Sequence, residues 1–196
     1  TLEDVFANCL FPVAEEICER SGEAMHALGY CMGGTLLAAL ACLEPDILAS
    51  AVYLASPWDF KLGDRTLTSH ICAGMPQALQ LIEHSGKLEV NWIQSVFAAV
   101  NADRTVQKFM NFADMDQDSK QAQLFVAVED WLNDGVDLPS GIAKSCIEDW
   151  YDGNKLISGD WEIGGSAIDL SSCEVSSLVV ASARDRLVPM ESSLAM

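Results

Sequence analysis

Apolar and polar positions follow a helical period at the start of the chain. From Thr1 to Arg20 apolar side chains recur at every fourth position, which predicts a helix with one apolar face. The repeating positions are Val5, Cys9, Val13 and Ile17. Thr1 and Asp4 have the spacing of a capping box, and Gly22 follows as a stop signal. Pro12 removes a backbone donor inside this pattern, so a kink or a break is expected there.

The pattern then changes to a strand, a helix and a second strand. Ala24–Tyr30 and Ala49–Ser56 are short apolar runs with the length of buried strands. Between them, Gly33–Leu43 is apolar nearly all round, which is typical of a helix that is covered on every side. A strand, a helix and a strand in about 30 residues form a βαβ unit, and such units build parallel sheets. The predicted fold class is therefore α/β.

A long helical stretch separates this unit from the next strand. Residues 61–156 carry helical patterns such as "MPQALQLIEHSG" without convincing strand alternation, so an all-helical insertion is predicted. A buried-type strand returns only at Ser176–Ala183, before the loop "RDRLVP" and a helix start at "MESSLAM". The chain thus divides into a first core part (residues 1–60), the insertion (61–156) and a second core part (157–196).

Composition limits the classes of protein that the chain can represent. Its 196 residues, 50% of them hydrophobic, can bury the core of one domain with an insertion. The net charge of −18 repels nucleic acid and anionic lipid headgroups, and nucleic acid is not expected as a partner. The sequence has no apolar run long enough to span a membrane and no basic N-terminal segment that would indicate export. A cytoplasmic location is predicted.

Seven cysteines raise the question of disulfides or a metal site. They form no C-x-x-C pair, and Cys9, Cys18 and Cys42 fall within apolar helical patterns. Cysteine in such a setting behaves as a small hydrophobic residue, and the odd count favours a reducing compartment. Neither a metal nor a disulfide framework is expected, and Cys31 is the cysteine with a setting of its own.

Cys31 lies at a tight corner between the first predicted strand and the helix, in the sequence "GYCMGG". Gly29, Cys31 and Gly33 fill the positions of a nucleophile elbow, where glycines let the neighbouring backbone pass. Gly34 is a further small residue where the helix packs on the sheet. The helix N-terminus favours a thiolate, and the N–H of Met32 is expected to form half of an oxyanion hole. A phosphate-binding turn is the alternative, but the sequence has neither the G-x-G-x-x-G spacing nor the P-loop lysine.

A thiol nucleophile needs a base and an acid that orients the base. Asp185 follows the last predicted strand in the loop "ARDRLVP", where this type of fold presents its acid; the alternative is a solvated loop aspartate. In proteins with a nucleophile elbow, the catalytic residues follow one another along the chain as nucleophile, acid and histidine. All three histidines of this sequence, His26, His70 and His84, precede Asp185. These histidines are interpreted as structural or surface residues. The catalytic histidine is therefore predicted to be absent from this chain.

Four stretches together resemble the polyhydroxyalkanoate synthases, α/β-hydrolase-fold enzymes that polymerise 3-hydroxyacyl-CoA. They are "HALGYCMGGTLLAALA", "AVYLASPWDF", "FVAVEDWLNDGVDLPSGIAKSCIEDWYDGNKLISG" and "LVVASARDRLVPMESS". The specific part is the G-x-C-x-G-G box, since ordinary lipases and esterases carry serine there. The resemblance covers most of the chain, is weakest from Leu62 to Gln123, and implies a fragment of an α/β-hydrolase fold that lacks both ends.

The resemblance also implies roles for individual residues. Cys31 corresponds to the nucleophile that carries the acyl group, and Asp185 to the aspartate of the D-x-x-V-P loop. The family's histidine lies beyond that loop, so this polypeptide alone is expected to be inactive. The helical insertion corresponds to a cap that covers the site and takes part in homodimer contacts. The implied substrate is an acyl-CoA thioester with no cofactor, and the implied location is the cytoplasm in association with polyester granules.

The implied reaction explains why the elbow carries a thiol. A cysteine thioester has an energy close to that of the CoA thioester, so the acyl group exchanges between them with little loss. The hydroxyl of another acyl unit then attacks the enzyme-bound ester. Two alternatives remain open: a cysteine esterase or thioesterase of the same fold that uses water as the acceptor, and a non-catalytic synthase homologue.

Overall fold

Short strands alternate with longer helices in the computed structural model, which describes residues 1–100 and 102–196. The strands in chain order are β1 (Met25–Tyr30), β2 (Leu48–Leu54), β3 (Lys87–Leu88), β4 (Leu138–Pro139), β5 (Glu162–Ile163), β6 (Ser166–Ala167) and β7 (Ser177–Val180). The α-helices are α1 (Leu2–Val5), α2 (Phe11–Ser21), α3 (Met32–Leu43), α4 (Thr66–Ser85), α5 (Val90–Val100), α6 (Ala102–Ala113), α7 (Lys120–Asn133), α8 (Ser140–Lys144), α9 (Lys155–Ser158) and α10 (Met190–Ser193). None of the described helices is long and apolar enough to cross a bilayer.

The N-terminal helix is interrupted near Pro12, as its sequence predicts. The capping box is present, because the Asp4 N–H donates to Oγ1 of Thr1 at 3.1 Å and the Asp4 carboxylate accepts from the Thr1 nitrogen. A π-helical segment, Phe6–Leu10, separates α1 from α2, and Pro12 lies in the first turn of α2, where its missing N–H is tolerated. The helix ends at Gly22, whose φ of 73° is the left-handed conformation that glycine favours.

The buried face of this helix differs from the predicted one. Val13 and Ile17 of the expected stripe are 59% and 47% exposed, and Cys9 is exposed as well. The buried positions are instead Leu2, Phe6 and Ala14. Both sets follow a four-residue period, so the period cannot choose between them, and contact with the core decides. The expectation that Cys9 packs as a small hydrophobic residue is therefore wrong.

A three-stranded parallel sheet with the order β1–β2–β7 packs against α3. β7, which the sequence predicts to be buried, is largely exposed, with Leu178 58% accessible. β1 pairs with β2 up to Tyr30 opposite Leu54, and β2 pairs with β7 up to Leu54 opposite Val180. These pairings confirm the predicted parallel sheet. β1 and β2 can run in the same direction because α3 carries the chain back to the start of β2. The carboxyl ends of the three strands therefore meet at one edge of the sheet.

Helix α3 is covered on nearly all sides, as its apolar sequence predicts. It begins at Met32, with only Cys31 between it and β1, one residue earlier than predicted. Its fully buried side chains are Thr35, Ala38, Ala39, Leu40 and Ala41. The Oγ1 of Thr35 donates to the carbonyl of Pro57 at 2.8 Å, which satisfies the buried hydroxyl and joins α3 to the loop after β2.

The helical segment, residues 61–156, has an apolar cluster of its own. Its members lie on α4, α5 and α8 and on the residues beside them: Leu67, Ile71, Ala78, Ile82, Leu88, Val100, Ala143 and Ile147. A larger cluster surrounds α3 and the parallel sheet. The π-helical segment Ser145–Asp152 contributes Ile147 to the first cluster and Trp150 to the second. This segment is therefore one place where the two apolar clusters are joined.

Two short antiparallel ladders lie outside the parallel sheet. β3 pairs with β4 inside the helical segment, and β5 pairs with β6 after it. The expectations of an all-helical stretch and of strand pairing only from Ser176 onward are wrong in this detail. The reason is length, because a two-residue strand is too short to show the alternation by which strands are recognised.

A buried asparagine links the loop after β2 to the end of the helical segment. The Oδ1 of Asn154 accepts from the Phe60 N–H at 2.8 Å, and its Nδ2 donates to Oδ1 of Asp59 at 3.0 Å. Asn154 has a φ of 51°, a left-handed conformation that asparagine tolerates better than most residues. The Phe60 carbonyl accepts from Oγ1 of Thr68 at 2.8 Å. These bonds hold Phe60 beside α4.

Candidate active site

Cys31 occupies a strained corner at the carboxyl edge of the sheet. It follows the last residue of β1 and precedes the first residue of α3, with a φ of 52° and a ψ of −122°. A non-glycine residue in such a conformation costs about 1–3 kcal/mol and persists only where surrounding bonds hold it. Here the Cys31 N–H donates to the Leu54 carbonyl at 2.9 Å, and the Cys31 carbonyl accepts from the Gly34 N–H at 2.9 Å. The corner is thereby fixed to β2 and to the first turn of α3.

The glycines around the corner differ in what they make room for. A Cβ on Gly29 would lie 2.6 Å from the Gly33 carbonyl oxygen, and one on Gly34 would lie 2.6 Å from Cβ of Ser56. Both positions therefore require glycine for close approach between β1, α3 and the loop after β2. A Cβ on Gly33 would meet no atom within 4 Å. The surroundings of Gly33 therefore have room for a side chain, and they do not require glycine there as the sequence predicts.

The sulfur of Cys31 is half-buried, and its surroundings favour the neutral thiol. Burial raises the pKa of Cys31 above its ordinary value, the hydrogen bond from the Met32 N–H lowers it, and the charge of Asp185 raises it further. The expectation of a thiolate at the helix N-terminus is therefore wrong. The Met32 amide does act in that direction, but burial outweighs it.

Asp185 lies in the loop after β7, at the same edge of the sheet as Cys31. Its Oδ1 accepts from the N–H groups of Leu187 and Val188, both at 2.9 Å, so the loop folds around the carboxylate. The carboxylate is close enough to act electrostatically on both Tyr30 and Cys31. It lines a cleft of about 360 Å³ at the loop, whereas Cys31 lines a different cavity.

The three histidines lie apart from these two residues. His26 places Nδ1 2.8 Å from Oγ of Ser50, and His70 places Nδ1 2.7 Å from the Thr66 carbonyl oxygen. His84 is exposed in the last turn of α4. Within residues 1–100 and 102–196, no histidine forms a hydrogen bond with Cys31 or Asp185, and no group of acidic, histidine and cysteine side chains has the arrangement of a metal site.

Cys31 lines an apolar cavity of about 300 Å³ between the parallel sheet and the helical segment. The walls come from the elbow, α4, α5 and the stretch from β4 to the π-helical segment. Few of the lining residues carry a polar side-chain atom at all, namely Cys31, Cys146, Tyr151, Trp92 and Trp150. A cavity of this kind suits an uncharged, largely aliphatic ligand, because a charged group would lose its hydration without compensation.

Comparisons with known proteins agree in a single class. The poly(3-hydroxyalkanoate) polymerase subunit PhaC of Thiocystis violacea is 26% identical over 201 residues, which cover 100% of this chain and 55% of that protein. The same subunit of Synechocystis sp. is 28% identical over 202 residues, which cover 100% of this chain and 53% of that protein. The Haloarcula marismortui subunit is 25% identical over 195 residues, which cover 98% of this chain and 41% of that protein.

The chain is similar to PhaC along its whole length. The resemblance to polyhydroxyalkanoate synthases that the sequence indicates is thereby confirmed. The chain spans about half the length of the curated PhaC relatives that it matches. No protein-family model matches the chain.

Sequence reasoning on this PhaC-like chain missed the aromatic wall of the cavity. Phe60 lies with its ring 6.1 Å from that of Trp150 and 4.7 Å from that of Tyr151, and Trp150 meets Trp161 edge-on at 5.5 Å. Burial raises the pKa of the Tyr151 phenol, and the nearby thiol of Cys31 acts in the same direction. The adjacent pair Trp150 and Tyr151 is the signal in the sequence, but it does not reveal that both residues line the same cavity as Cys31.

Proposed function

We propose that the chain carries the acyl-transfer centre of a polyhydroxyalkanoate synthase-like enzyme, which polymerises 3-hydroxyacyl-CoA and releases CoA through a thioester on Cys31. The observation that carries this proposal is the position of Cys31, at a strained strand-to-helix corner that opens onto an apolar cavity. Similarity to PhaC polymerase subunits supports the substrate class. The activity belongs to the whole natural protein that contains this sequence.

The proposed fold is a partial α/β-hydrolase core with a helical cap. Residues 1–60 form the first part of the core with the elbow, residues 61–156 form the cap, and residues 157–196 form the second part with the acid loop. The parallel order of the three central strands supports this division, and so does the position of Cys31 and Asp185 after β1 and β7. The helical segment forms most of the cavity wall opposite the sheet, as a cap would.

The proposed reaction begins with attack of the Cys31 sulfur on the carbonyl carbon of the acyl-CoA thioester. A base takes the thiol proton, the C–S bond to CoA breaks, and the proton returns to the CoA sulfur. The Met32 N–H contributes to stabilisation of the oxyanion, and Asp185 orients the base. The hydroxyl of a second acyl unit then attacks the carbonyl carbon of the Cys31 thioester. A C–O ester bond forms, the C–S bond to Cys31 breaks, and the base carries the hydroxyl proton to the Cys31 sulfur, which restores the thiol.

The surroundings of Cys31 make a base necessary. Because burial raises the pKa of Cys31, the thiol stays protonated near neutral pH and is a poor nucleophile until its proton is removed. The resemblance assigns this step to a histidine, whereas His26, His70 and His84 lie elsewhere. The proposal therefore places the base outside the three histidines of this sequence, and it involves no cofactor.

The apolar cavity favours transfer to another acyl unit over hydrolysis. Its wall of aliphatic and aromatic side chains offers water few hydrogen-bond partners, so the ester on Cys31 is protected from attack by solvent. In the proposed setting the partners are the acyl-CoA, the polyester chain and a second copy of the protein that binds through the helical segment. The proposed location is the cytoplasm, at the surface of polyester granules.

The test uses the natural protein that contains this sequence, incubated with 3-hydroxybutyryl-CoA. We expect release of CoA together with a polyester, and a loss of at least about 1,000-fold in turnover for Cys31→Ala. The matched control is Cys9→Ala, because Cys9 is exposed and remote from the cavity. Release of the free acid instead of polymer would identify a thioesterase, and unchanged turnover in Cys31→Ala would remove Cys31 from the reaction.

A further inference from the structure

Two half-buried cysteines that are far apart in the sequence, Cys42 and Cys173, lie side by side in the fold. Cys42 belongs to the last turn of α3, and Cys173 follows the 3-10 turn Leu170–Ser172. The Sγ of Cys173 donates to the Ala41 carbonyl oxygen at 3.4 Å. That oxygen is three bonds from the Cα of Cys42, so the Cys173 sulfur lies within about 6 Å of this Cα. A spacing of this size is compatible with a disulfide.

The side chains of the two cysteines also contact each other. The thiol of Cys42 forms a hydrogen bond with Cys173. Both thiols act electrostatically on the phenol of Tyr53 in β2, which accepts a hydrogen bond from Oγ of Ser177, the first residue of β7, at 3.3 Å. The backbone contact, the thiol contact and the shared neighbour place the pair between α3, β2 and the start of β7.

The pair differs from the other thiols that donate hydrogen bonds. Cys18 donates to the Ile47 carbonyl at 3.3 Å and Cys72 to the Tyr151 carbonyl at 3.8 Å, so each has a backbone oxygen as its partner. Two adjacent thiols can be oxidised together, whereas a thiol that faces a carbonyl needs a sulfur from elsewhere. All seven cysteines are free in this structure, so the pair is described in its reduced form.

The surroundings of Cys42 indicate the order in which the two sulfurs react. Burial raises the pKa of Cys42 to about 12, and the charge of Cys173 and the hydrogen bond to it act in the same direction. Cys42 is therefore a slow nucleophile toward a disulfide in solution. Once the Cys173 sulfur is bound in a mixed disulfide, it carries no charge, and attack by Cys42 takes place between neighbouring groups.

We propose that Cys42 and Cys173 form a site of reversible oxidation, which a small-molecule disulfide such as oxidised glutathione converts from two thiols to a disulfide. The Cys173 sulfur attacks the oxidant, forms a mixed disulfide and releases one glutathione. The Cys42 sulfur then attacks the Cys173 sulfur, forms the S–S bond and releases the second glutathione. Each protein thiol gives its proton to the departing glutathione sulfur, so two thiols are oxidised and one disulfide is reduced.

The bond joins the last turn of α3 to the segment that leads into β7. It closes a loop of about 130 residues, which contains the whole helical segment. A cross-link over a loop of this length restricts the unfolded chain strongly, so the oxidised protein is more stable than the reduced one when the native positions are kept. Cys31 lies at the opposite end of α3, so the bond forms away from the candidate active site.

The test uses the natural protein that contains this sequence, with Cys31→Ala, reduced and then incubated with oxidised glutathione at a pH of about 8.5. Trypsin releases residues 21–61, where Cys42 is then the one cysteine, and residues 156–184, which contain Cys173. We expect mass spectrometry to find these two peptides joined, and to find them separate after reduction. Because Cys31 is replaced, the result does not depend on acyl transfer.

Thermal unfolding provides the second readout. We expect oxidation to raise the Tm by at least about 5 °C. Cys42→Ala should abolish this rise and the joined peptide, and it should leave Cys173 carrying one glutathione. Cys173→Ala should abolish both as well and leave Cys42 largely unmodified. Cys18→Ala is the matched control, because its half-buried thiol is bonded to a carbonyl, and both readouts should persist in it.

Three results would overturn the inference. The first is a folded protein in which the two peptides stay separate, or in which Cys173 pairs with a different cysteine. The second is a joined peptide that forms only in urea, because the fold would then keep the two sulfurs apart. The third is a joined peptide without a rise in Tm, since the bond would then require distortion of the native packing.

Discussion

Cys31 combines a strained backbone with a sulfur that burial keeps protonated. The strain is held by bonds to Leu54 and Gly34, which fix the start of α3 against β2. Burial raises the pKa of the thiol despite the hydrogen bond from Met32. The corner therefore fixes the backbone of a residue that lines the cavity, but its thiol is in the form that reacts slowly until a base removes its proton.

The pH dependence of alkylation tests this description of Cys31. Only the thiolate reacts with iodoacetamide, and a raised pKa keeps the thiolate scarce below that pKa. We therefore expect the alkylation rate of Cys31 in the folded chain to keep rising above pH about 8.5, the pKa of an ordinary cysteine. Mass spectrometry of the peptide that contains Cys31 follows the reaction from pH 6 to pH 11.

The control is the same residue in the chain unfolded by urea. There the burial is lost, and the rate at Cys31 should level off near the ordinary pKa of cysteine. A folded-state rate that levels off below pH 8 would mean that the helix N-terminus outweighs burial and would contradict the assigned direction of the pKa shift.

At the scale of elements, local signals predicted the βαβ unit and did not predict what covers it. The apolar runs and glycines around residues 24–56 locate β1, α3 and β2 to within two residues, because each boundary is set by neighbouring residues. The parallel arrangement then places Cys31 and Asp185 at the same edge. By contrast, the four-residue period predicts burial of Val13 and Ile17, which are exposed, because the period does not indicate which face meets the core.

Sequence patterns do not predict the cavity either, because they describe only neighbouring residues. Its walls combine the elbow with residues of α4, α5 and the π-helical segment, which lie tens of residues apart in the chain. A π-helical turn adds a residue to the period and so rotates Trp150 and Tyr151 relative to a regular helix. Neither the long-range packing nor the rotation leaves a local pattern in the sequence.

The contact between α3 and the sheet can be tested with two adjacent glycines. In Gly34→Ala the new Cβ would lie 2.6 Å from Cβ of Ser56 and 2.9 Å from the Gly29 carbonyl oxygen, so the helix would have to move away from β1. We expect a loss of about 1–3 kcal/mol in the free energy of unfolding, which urea denaturation measures. Alanine at the neighbouring Gly33 should not cause this loss.

Gly33→Ala is the matched control on the same turn of α3. A Cβ there meets no atom within 4 Å, and alanine is the better helix former. The free energy of unfolding should therefore be unchanged or rise by up to about 1 kcal/mol. Equal destabilisation by the two substitutions would show that close packing of the helix on the sheet is not what selects glycine at position 34.

At the scale of the whole molecule, the dominant electrostatic feature is the excess of acidic side chains. The net charge is −18, and the ion pairs of Lys87 with Asp137 and of Arg20 with Glu16 lie at the surface, where such pairs contribute little. Mutual repulsion among the carboxylates therefore opposes the compact state. Salt that screens this repulsion should stabilise the fold.

We expect the Tm at pH 7 to rise by a few degrees when NaCl is increased from 0.01 M to 0.15 M. The Debye length falls from about 30 Å to about 8 Å over this range, so repulsion across the molecule is screened more than pairs in contact. Differential scanning calorimetry measures the shift. The rise should disappear near the sequence pI of about 4.2, where the net charge is close to zero, and a fall in Tm at pH 7 would contradict the expectation.

The strand order of the parallel sheet also determines when each strand gains its neighbours during synthesis of the chain. β2 is the middle strand, yet its second neighbour, β7, begins about 120 residues later. At about 5–20 residues per second, a ribosome needs roughly 6–24 seconds to deliver β7 after β2 has emerged. During that interval one edge of β2 has no native partner from the nascent chain, so the helical segment is made while the sheet is still open and prone to pairing with other chains.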